Sequence, residues 1–230
     1  MAALQGVVFD AYGTLFDVYS IAKRAEQRFP GMGTALSVVW RDKQIEYSRL
    51  VTLSDPSAAG SRYYQNFWDL TRAALIYSLQ RLSLQHQPSD IDDLMSGYAR
   101  LEPYPECAAV LKAVRAQGLA TAILSNGSPD MLRIAADSSG LAPVLDHIIS
   151  VDPIRQFKTS PLSYALATKV LQAPAESLVF VSSNGWDAMG ATWFGFRTCW
   201  VNRQALPFET IGERPAHSCE TLEGVLAMLG

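Results

Sequence analysis

The sequence predicts an α/β protein, a parallel sheet flanked by helices with an all-helical insertion after the first strand. Three observations carry this reading. Short apolar, β-branched runs recur along the chain, helical patterns separate the later ones, and residues 16–102 hold helical patterns without a convincing strand. The 230 residues allow one large domain or a core with a sizeable insertion, and 49% hydrophobic against 18% charged residues is the balance of a globular chain.

The first run, residues 4–10, ends in an acid and a glycine-containing turn, as buried parallel strands do. Comparable runs occupy residues 119–124, 147–151, 178–181 and 197–201. Residues 105–117 have Ala, Val and Leu at helical spacing and stop at Gly118, while Ser128-Pro129 and Ser160-Pro161 each pair an N-cap hydroxyl with a proline at the first helical position. Strand alternating with helix implies right-handed crossovers in a parallel sheet. Within the insertion, helices are expected over 20–29, 34–50, 63–82 and 89–100, punctuated by Pro30-Gly31, Ser54-Asp55-Pro56 and Gln87-Pro88. The stripe Leu36, Val39, Trp40, Ile45, Tyr47 and Leu50 reads as packing inside this helical unit. The expected division is a core of residues 1–15 plus 103–230 and a helical subdomain of residues 16–102.

Charge and composition exclude several function classes. Nineteen basic and 22 acidic residues leave a net charge of −3 with no basic run, which argues against nucleic acid and anionic lipid as partners. Cys107, Cys199 and Cys219 are far apart in sequence, odd in number and outside any CxxC pattern, which suits a reducing cytoplasm. The N-terminal run reaches Asp10 without a basic region before it, so a strand is expected there rather than a signal peptide or membrane span. His86, His147 and His217 show no metal-ligand spacing and no place beside a nucleophilic serine. Gly31-Met32-Gly33 lacks both a preceding strand and the third glycine of a nucleotide-binding loop.

Open parallel sheets place their chemistry at the carboxyl ends of the strands. Those ends, or the loops just after them, carry Asp10-Ala11-Tyr12-Gly13-Thr14, Ser125-Asn126-Gly127, Lys158 and Ser182-Ser183-Asn184-Gly185-Trp186-Asp187. One acid after a strand is often only a turn former. Four such ends supplying two carboxylates, a lysine, hydroxyls and amides are difficult to explain as solvated loop tips.

The phrase from Phe9 through Asp10-Ala11-Tyr12-Gly13-Thr14 to Val18 resembles the opening motif of the haloacid dehalogenase superfamily, in its hydrolytic L-2-haloacid dehalogenase branch. Trp40-Arg41-Asp42-Lys43-Gln44-Ile45-Glu46-Tyr47, Leu124-Ser125-Asn126-Gly127-Ser128-Pro129, Ser150-Val151-Asp152-Pro153, the segment from Phe180 to Asp187, and Cys199-Trp200-Val201-Asn202-Arg203 resemble that branch in order and spacing. The resemblance implies a Rossmann-like core, a helical cap, a site at their interface and a homodimer. The stretch around Val51 to Gly60 is longer than the family spacing, and Ala11 is smaller than the usual apolar residue.

Three functions compete: dehalogenase, magnesium phosphatase, and a catalytically silent binding protein with the same fold. The phosphatases carry a second acid where this chain has Tyr12, and a later acidic pair where it has Asp187 alone. A neutral phenol and a nearby lysine suit an Mg²⁺ site poorly, so neither metal nor cofactor is expected. The joint presence of Asp10, Lys158 and Arg41 argues against a silent protein.

On the dehalogenase reading, Asp10 attacks the halogen-bearing carbon of a small 2-haloacid and Lys158 and Thr14 hold it ionised and oriented. Ser125, backbone N–H groups around Ala11 and Tyr12, and Lys158 receive the substrate carboxylate. Ser125 is also open to a capping role, although Ser128 is the better-placed cap. The resemblance implies that Arg41 and Asn126 take the halide product, that Tyr12, Ile45, Phe67 and Trp186 enclose the alkyl part, and that Ser182, Asn184 and Asp187 orient Lys158, Asp10 and a water. Asp187 has two roles open, partner of Lys158 or base. Tyr164 matches a functional tyrosine, with a buried structural tyrosine as the alternative.

Overall fold

The computed structural model describes residues 3–229. The central strand β1 (Gly6–Phe9) is buried at every position and is hydrogen-bonded on both sides. Its neighbours are β2 (Ala120–Ser125) and β4 (Leu178–Ser182), with Val8 level with Ala122 on one side and Phe180 on the other. β3 (His147–Ser150), β5 (Arg197–Val201) and β6 (His217–Cys219) complete a parallel sheet of order β3-β2-β1-β4-β5-β6. Successive strands run to one side of β1 and then to the other, so the order reverses at β1 and β4, where such sheets open a ligand crevice.

β6 was not expected. His217-Ser218-Cys219 has no apolar β-branched run, and only its pairing with Cys199 through Val201 on β5 makes it a strand. That pairing also brings the Cys199 and Cys219 sulfurs to 3.6 Å as free thiols, although twenty residues separate them. Among the described residues no helix is long and apolar enough to cross a membrane.

Between β1 and the first core helix lie α1 (Ile21–Arg28), α2 (Gly33–Ser54), α3 (Phe67–Arg81) and α4 (Pro88–Tyr98). Their boundaries follow local chemistry. α3 starts four residues later than the pattern predicts because the Asn66 side chain accepts the Asp69 N–H at 2.9 Å and caps the helix there. α4 opens on Pro88, with Gln87 and Asp90 forming a reciprocal capping box. Ion pairs from Arg24 to Asp93 and from Arg28 to Asp90 join α1 to α4. The shared interior holds Leu36, Trp40, Leu75, Leu79 and Leu94.

The expected stripe is only partly interior: Leu36 and Trp40 are buried, but Leu50 is 58% exposed because it lies off the face of α2 that buries Trp40, Gln44, Ser48 and Val51. Gly31-Met32-Gly33 is a helix crossing. The Glu26 carboxylate accepts the N–H groups of Gly31 and Gly33, which satisfies donors at the start of α2 from the neighbouring helix.

The remaining helices are α5 (Cys107–Ala116), α6 (Pro129–Ser138), α7 (Pro161–Leu171) and α8 (Gly185–Phe194). The expected prolines stand in the first turns of α6 and α7. Ser128 and Ser160 occupy the N-cap positions but make no side-chain cap bond, which corrects the expected role of both hydroxyls.

A β-carbon on Gly33 would lie 2.5 Å from the Ala22 carbonyl oxygen and 2.6 Å from the Glu26 nitrogen. Gly33→Ala should therefore cost about 1–3 kcal/mol, as overpacking does, read as a lower urea midpoint. An unchanged midpoint would show that the α1–α2 crossing is not tight.

Candidate active site

Asp10 directly follows β1, and a tight turn places the next residues over the sheet edge. The Ala11 carbonyl accepts the N–H groups of Thr14, Leu15 and Phe16, and Gly13 sits at φ +93°, in the left-handed region that favours glycine. This turn leaves the Asp10 carboxylate 6% exposed and surrounded by donors. Lys158 Nζ donates to one oxygen at 2.9 Å, while the Thr14 hydroxyl and Asn184 Nδ2 donate to the other at 3.2 and 2.8 Å.

Lys158 is 1% exposed and also donates to Asp187 at 2.9 Å. Asp187, in the first turn of α8, is fully buried, and its second oxygen accepts the Tyr164 hydroxyl at 2.8 Å. Burial alone would push the Lys158 ammonium down, but the carboxylates of Asp10 and Asp187 outweigh it and hold its pKa above the ordinary lysine value. Burial raises Asp187, with Lys158 opposing, and burial followed by Asp187 raises Tyr164, which stays a neutral donor.

Asn184 stands at the N-cap of α8 without capping it, because its side chain serves the site: Nδ2 donates to Asp10 and the Tyr12 carbonyl, and Oδ1 accepts from Arg41. Ser182 does not reach Asp10 or Lys158 by any hydrogen bond among the described residues. Its hydroxyl accepts the Asn184 N–H at 3.2 Å and shapes the loop. The Ser125 hydroxyl accepts the Gly127 N–H at 3.1 Å. Asn126 Oδ1 accepts the Lys158 N–H at 2.9 Å, which orients the amide and leaves its NH₂ for other partners.

Arg41 extends from α2 to the sheet edge, where Nη2 donates to the Tyr12 carbonyl and Asn184 Oδ1, both at 3.2 Å. A small inner cavity is lined by Asp10, Tyr12, Arg41, Ile45, Phe67, Ser125, Asn126, Asn184 and Trp186. Ala11 is fully buried and is not among the lining residues. A larger outer hollow shares Arg41, Ile45, Asn184 and Trp186 with the inner one and forms its approach.

The sequence reading missed the network behind Arg41. Buried Gln44 accepts from Arg41 Nη1 at 2.8 Å and from the Tyr98 hydroxyl at 3.1 Å, and donates to the Thr71 hydroxyl. The spacing of three between Arg41 and Gln44 puts both on one face of α2 and was the available signal. It also missed two braces. Arg203 binds Glu106 and the Thr14 carbonyl, and residues 51–61 dock on the loop before Lys158, with Thr52 Oγ1 accepting the Phe157 N–H and Gln156 donating to the Ser57 carbonyl.

Residues 4–195 match the family model of haloacid dehalogenase-like hydrolases. The chain belongs to this family. It is 39% identical over 228 residues to an (S)-2-haloacid dehalogenase of Pseudomonas sp. (strain YL), covering 99% of this chain and 95% of that one. The solved L-2-haloacid dehalogenase RSc1362 superposes with a TM-score of 0.96 at 49% identity, covering 99% of both chains. An L-2-haloacid dehalogenase from Xanthobacter autotrophicus, solved with chloropropionic acid covalently bound, gives 0.87 at 40% identity and 98% of both chains. Within the family, the present donor set departs from a metal site. The two acids at the sheet edge share an ammonium, and burial holds Tyr12 far above its ordinary pKa as a neutral phenol.

Lys158→Met would leave two buried carboxylates without a cation, an expected loss of about 3–5 kcal/mol at pH 7 by urea unfolding. With the folded-state Asp187 pKa raised by burial, the deficit should shrink as pH falls toward the ordinary carboxylate range near 4. In the native protein the raised Lys158 contributes fully below about pH 10.4 and its contribution is lost only as pH climbs through the raised value. A deficit independent of pH between 4 and 7 would contradict this account.

Proposed function

We propose that this protein is an (S)-2-haloacid dehalogenase that hydrolyses the carbon–halogen bond of short 2-haloalkanoic acids through an ester on Asp10. The observation that carries the reading is the carboxylate held by three donors in the lining of a small cavity that Arg41 reaches from α2. A carboxylate is a weak nucleophile when fully hydrated, and here Lys158, Thr14 and Asn184 replace water and fix its direction.

In the first step an Asp10 oxygen bonds to C2 while the carbon–halogen electron pair leaves with the halide. The Ser125 hydroxyl and the N–H groups of Ala11 and Tyr12 hold the substrate carboxylate, Tyr12, Ile45, Phe67 and Trp186 enclose the alkyl part, and Arg41 with Asn126 receives the halide. In the second step water adds to the Asp10 carbonyl carbon, and the ester oxygen leaves as the hydroxyl of the product. Displacement at C2 inverts it, so the (S)-haloacid yields the (R)-2-hydroxy acid. Asp187 serves this step as the residue that holds Lys158, with both its oxygens engaged by Lys158 and Tyr164. Ser182 acts through the Asn184 loop.

The same reading assigns residues 16–102 to a cap and residues 1–15 plus 103–230 to the catalytic core. It includes a homodimer, for which exposed Leu50 and Leu53 on α2 supply apolar surface, and a cytoplasmic setting, which suits three free cysteines.

With enzyme in excess over 2-chloropropionate in oxygen-18 water, one label should enter Asp10, located by peptide mass spectrometry, and the first-turnover product should stay unlabelled. Label confined to the product would sink the ester mechanism. Asp10→Asn should abolish halide release in a variant that is still folded by circular dichroism.

A further inference from the structure

The proposed chemistry leaves one polar group without work. Among the described residues, the buried side-chain polar atoms lacking a hydrogen-bond partner are the Tyr12 hydroxyl, the Ser183 hydroxyl and Arg203 Nε, and of these residues only Tyr12 lines the inner cavity. An unpaired buried hydroxyl is costly, and native proteins rarely keep one without a reason. The ring cannot readily turn away. It stacks on Tyr98 with centroids 5.6 Å apart, lies 6.0 Å from Phe67 and 6.1 Å from Phe16, and abuts Gly127, where a β-carbon would approach Cε2 to 2.9 Å.

The halide subsite, in turn, has only Arg41 and the Asn126 amide as its assigned donors. Arg41 already donates to Gln44, to the Tyr12 carbonyl and to Asn184, so part of its guanidinium is committed before substrate arrives. The substrate carboxylate has Ser125 and backbone N–H groups, whereas the halide gains a full negative charge during the step. Hydrogen bonds to an ion are the stronger class, and donors aimed at developing charge lower the barrier. Burial first, then Tyr98, keeps the phenol protonated, and Arg41 and Asp10 are close enough to act on it electrostatically.

We propose that the Tyr12 hydroxyl, unpartnered in the free protein, donates a hydrogen bond to the departing halide beside Arg41. Tyr12 is then a leaving-group donor as well as a wall of the alkyl pocket. No proton is transferred: the carbon–halogen electron pair goes to the halide and the phenol keeps its hydrogen. This inference rests on the dehalogenase reading above and adds to it a residue that sets preference among halides, since a small, hard leaving group gains more from an added donor than a large, soft one.

Tyr12→Phe removes the hydroxyl and keeps the ring. Single-turnover rates with (S)-2-chloropropionate should fall by about tenfold, the scale of one charge-assisted hydrogen bond, and those with (S)-2-bromopropionate by less, so that the chloride-to-bromide rate ratio drops. The inhibition constant for product chloride should rise, and Tm should be unchanged or higher because an unsatisfied hydroxyl is gone. Tyr98→Phe is the contrast, since the Tyr98 hydroxyl is bonded to Gln44 and its loss should lower Tm. An unchanged halide ratio overturns the proposal, as does a lower Tm for Tyr12→Phe. A rise in KM common to both substrates at constant rate ratio also overturns it and assigns the hydroxyl to the substrate carboxylate. If the native protein releases no halide from either substrate, the dehalogenase reading itself fails, and that failure is distinguishable from the outcomes for the variant.

Discussion

The structure turns on one buried cation. The Lys158 ammonium lies within 2.9 Å of both Asp10 and Asp187, and none of the three side chains is more than a tenth exposed. Burying two carboxylates side by side would be prohibitive without it, and burying a lysine would be prohibitive without them. The triad therefore requires β1, the loop before α7 and the start of α8 to meet in one arrangement. Around it the second tier is fully occupied: Tyr164 takes the far oxygen of Asp187, Asn126 takes the Lys158 N–H, and Ser183 donates its N–H to Thr14.

The helical segment answers to the same constraint from above. Arg41 reaches the sheet edge only because Gln44, itself bonded to Thr71 on α3 and Tyr98 at the end of α4, holds its guanidinium. One buried amide thus couples three helices to the cavity. Trp40 reinforces the coupling, its indole N–H donating to the Thr71 carbonyl at 2.8 Å. Motion of the helical segment relative to the sheet would move Arg41 with it, so the packing of these helices and the geometry at the Arg41 side of the cavity are one problem. The docking of residues 51–61 on the loop that carries Lys158 ties the far end of α2 to the triad as well.

How much could be read in advance depended on whether a signal was local. Strands β1 to β5 were legible because buried parallel strands are continuous apolar runs, and β6 was not because nothing in His-Ser-Cys distinguishes it from a loop. The proline positions of α6 and α7 were right while the adjacent serine caps were not, since a hydroxyl has several partners to choose from and a proline ring has one compatible conformation. Leu50 was assigned to the stripe yet lies outside it, because the buried face of α2 is carried there by Gln44, Ser48, Val51 and Thr52, three of them polar and so invisible to an apolar pattern. At the site, Asp10, Lys158 and Asp187 were legible as polar groups following strands, whereas Gln44 and Tyr98 sit in helices whose facing emerges only on packing.

By itself the sequence determined the fold class, the helical insertion, the acid that follows the first strand and the family in which that motif belongs. Each of these is carried by residues near one another in the chain or by a pattern that survives without coordinates. Only the tertiary structure decided which donors those residues use: that Lys158 is shared between two acids, that Asn184 serves Asp10 instead of its own helix, that Ser182 works through a neighbour's backbone, and that the Tyr12 hydroxyl is left over. Hydrogen bonds saturate, so whether a group is free is a property of everything packed around it, and no stretch of sequence contains that count.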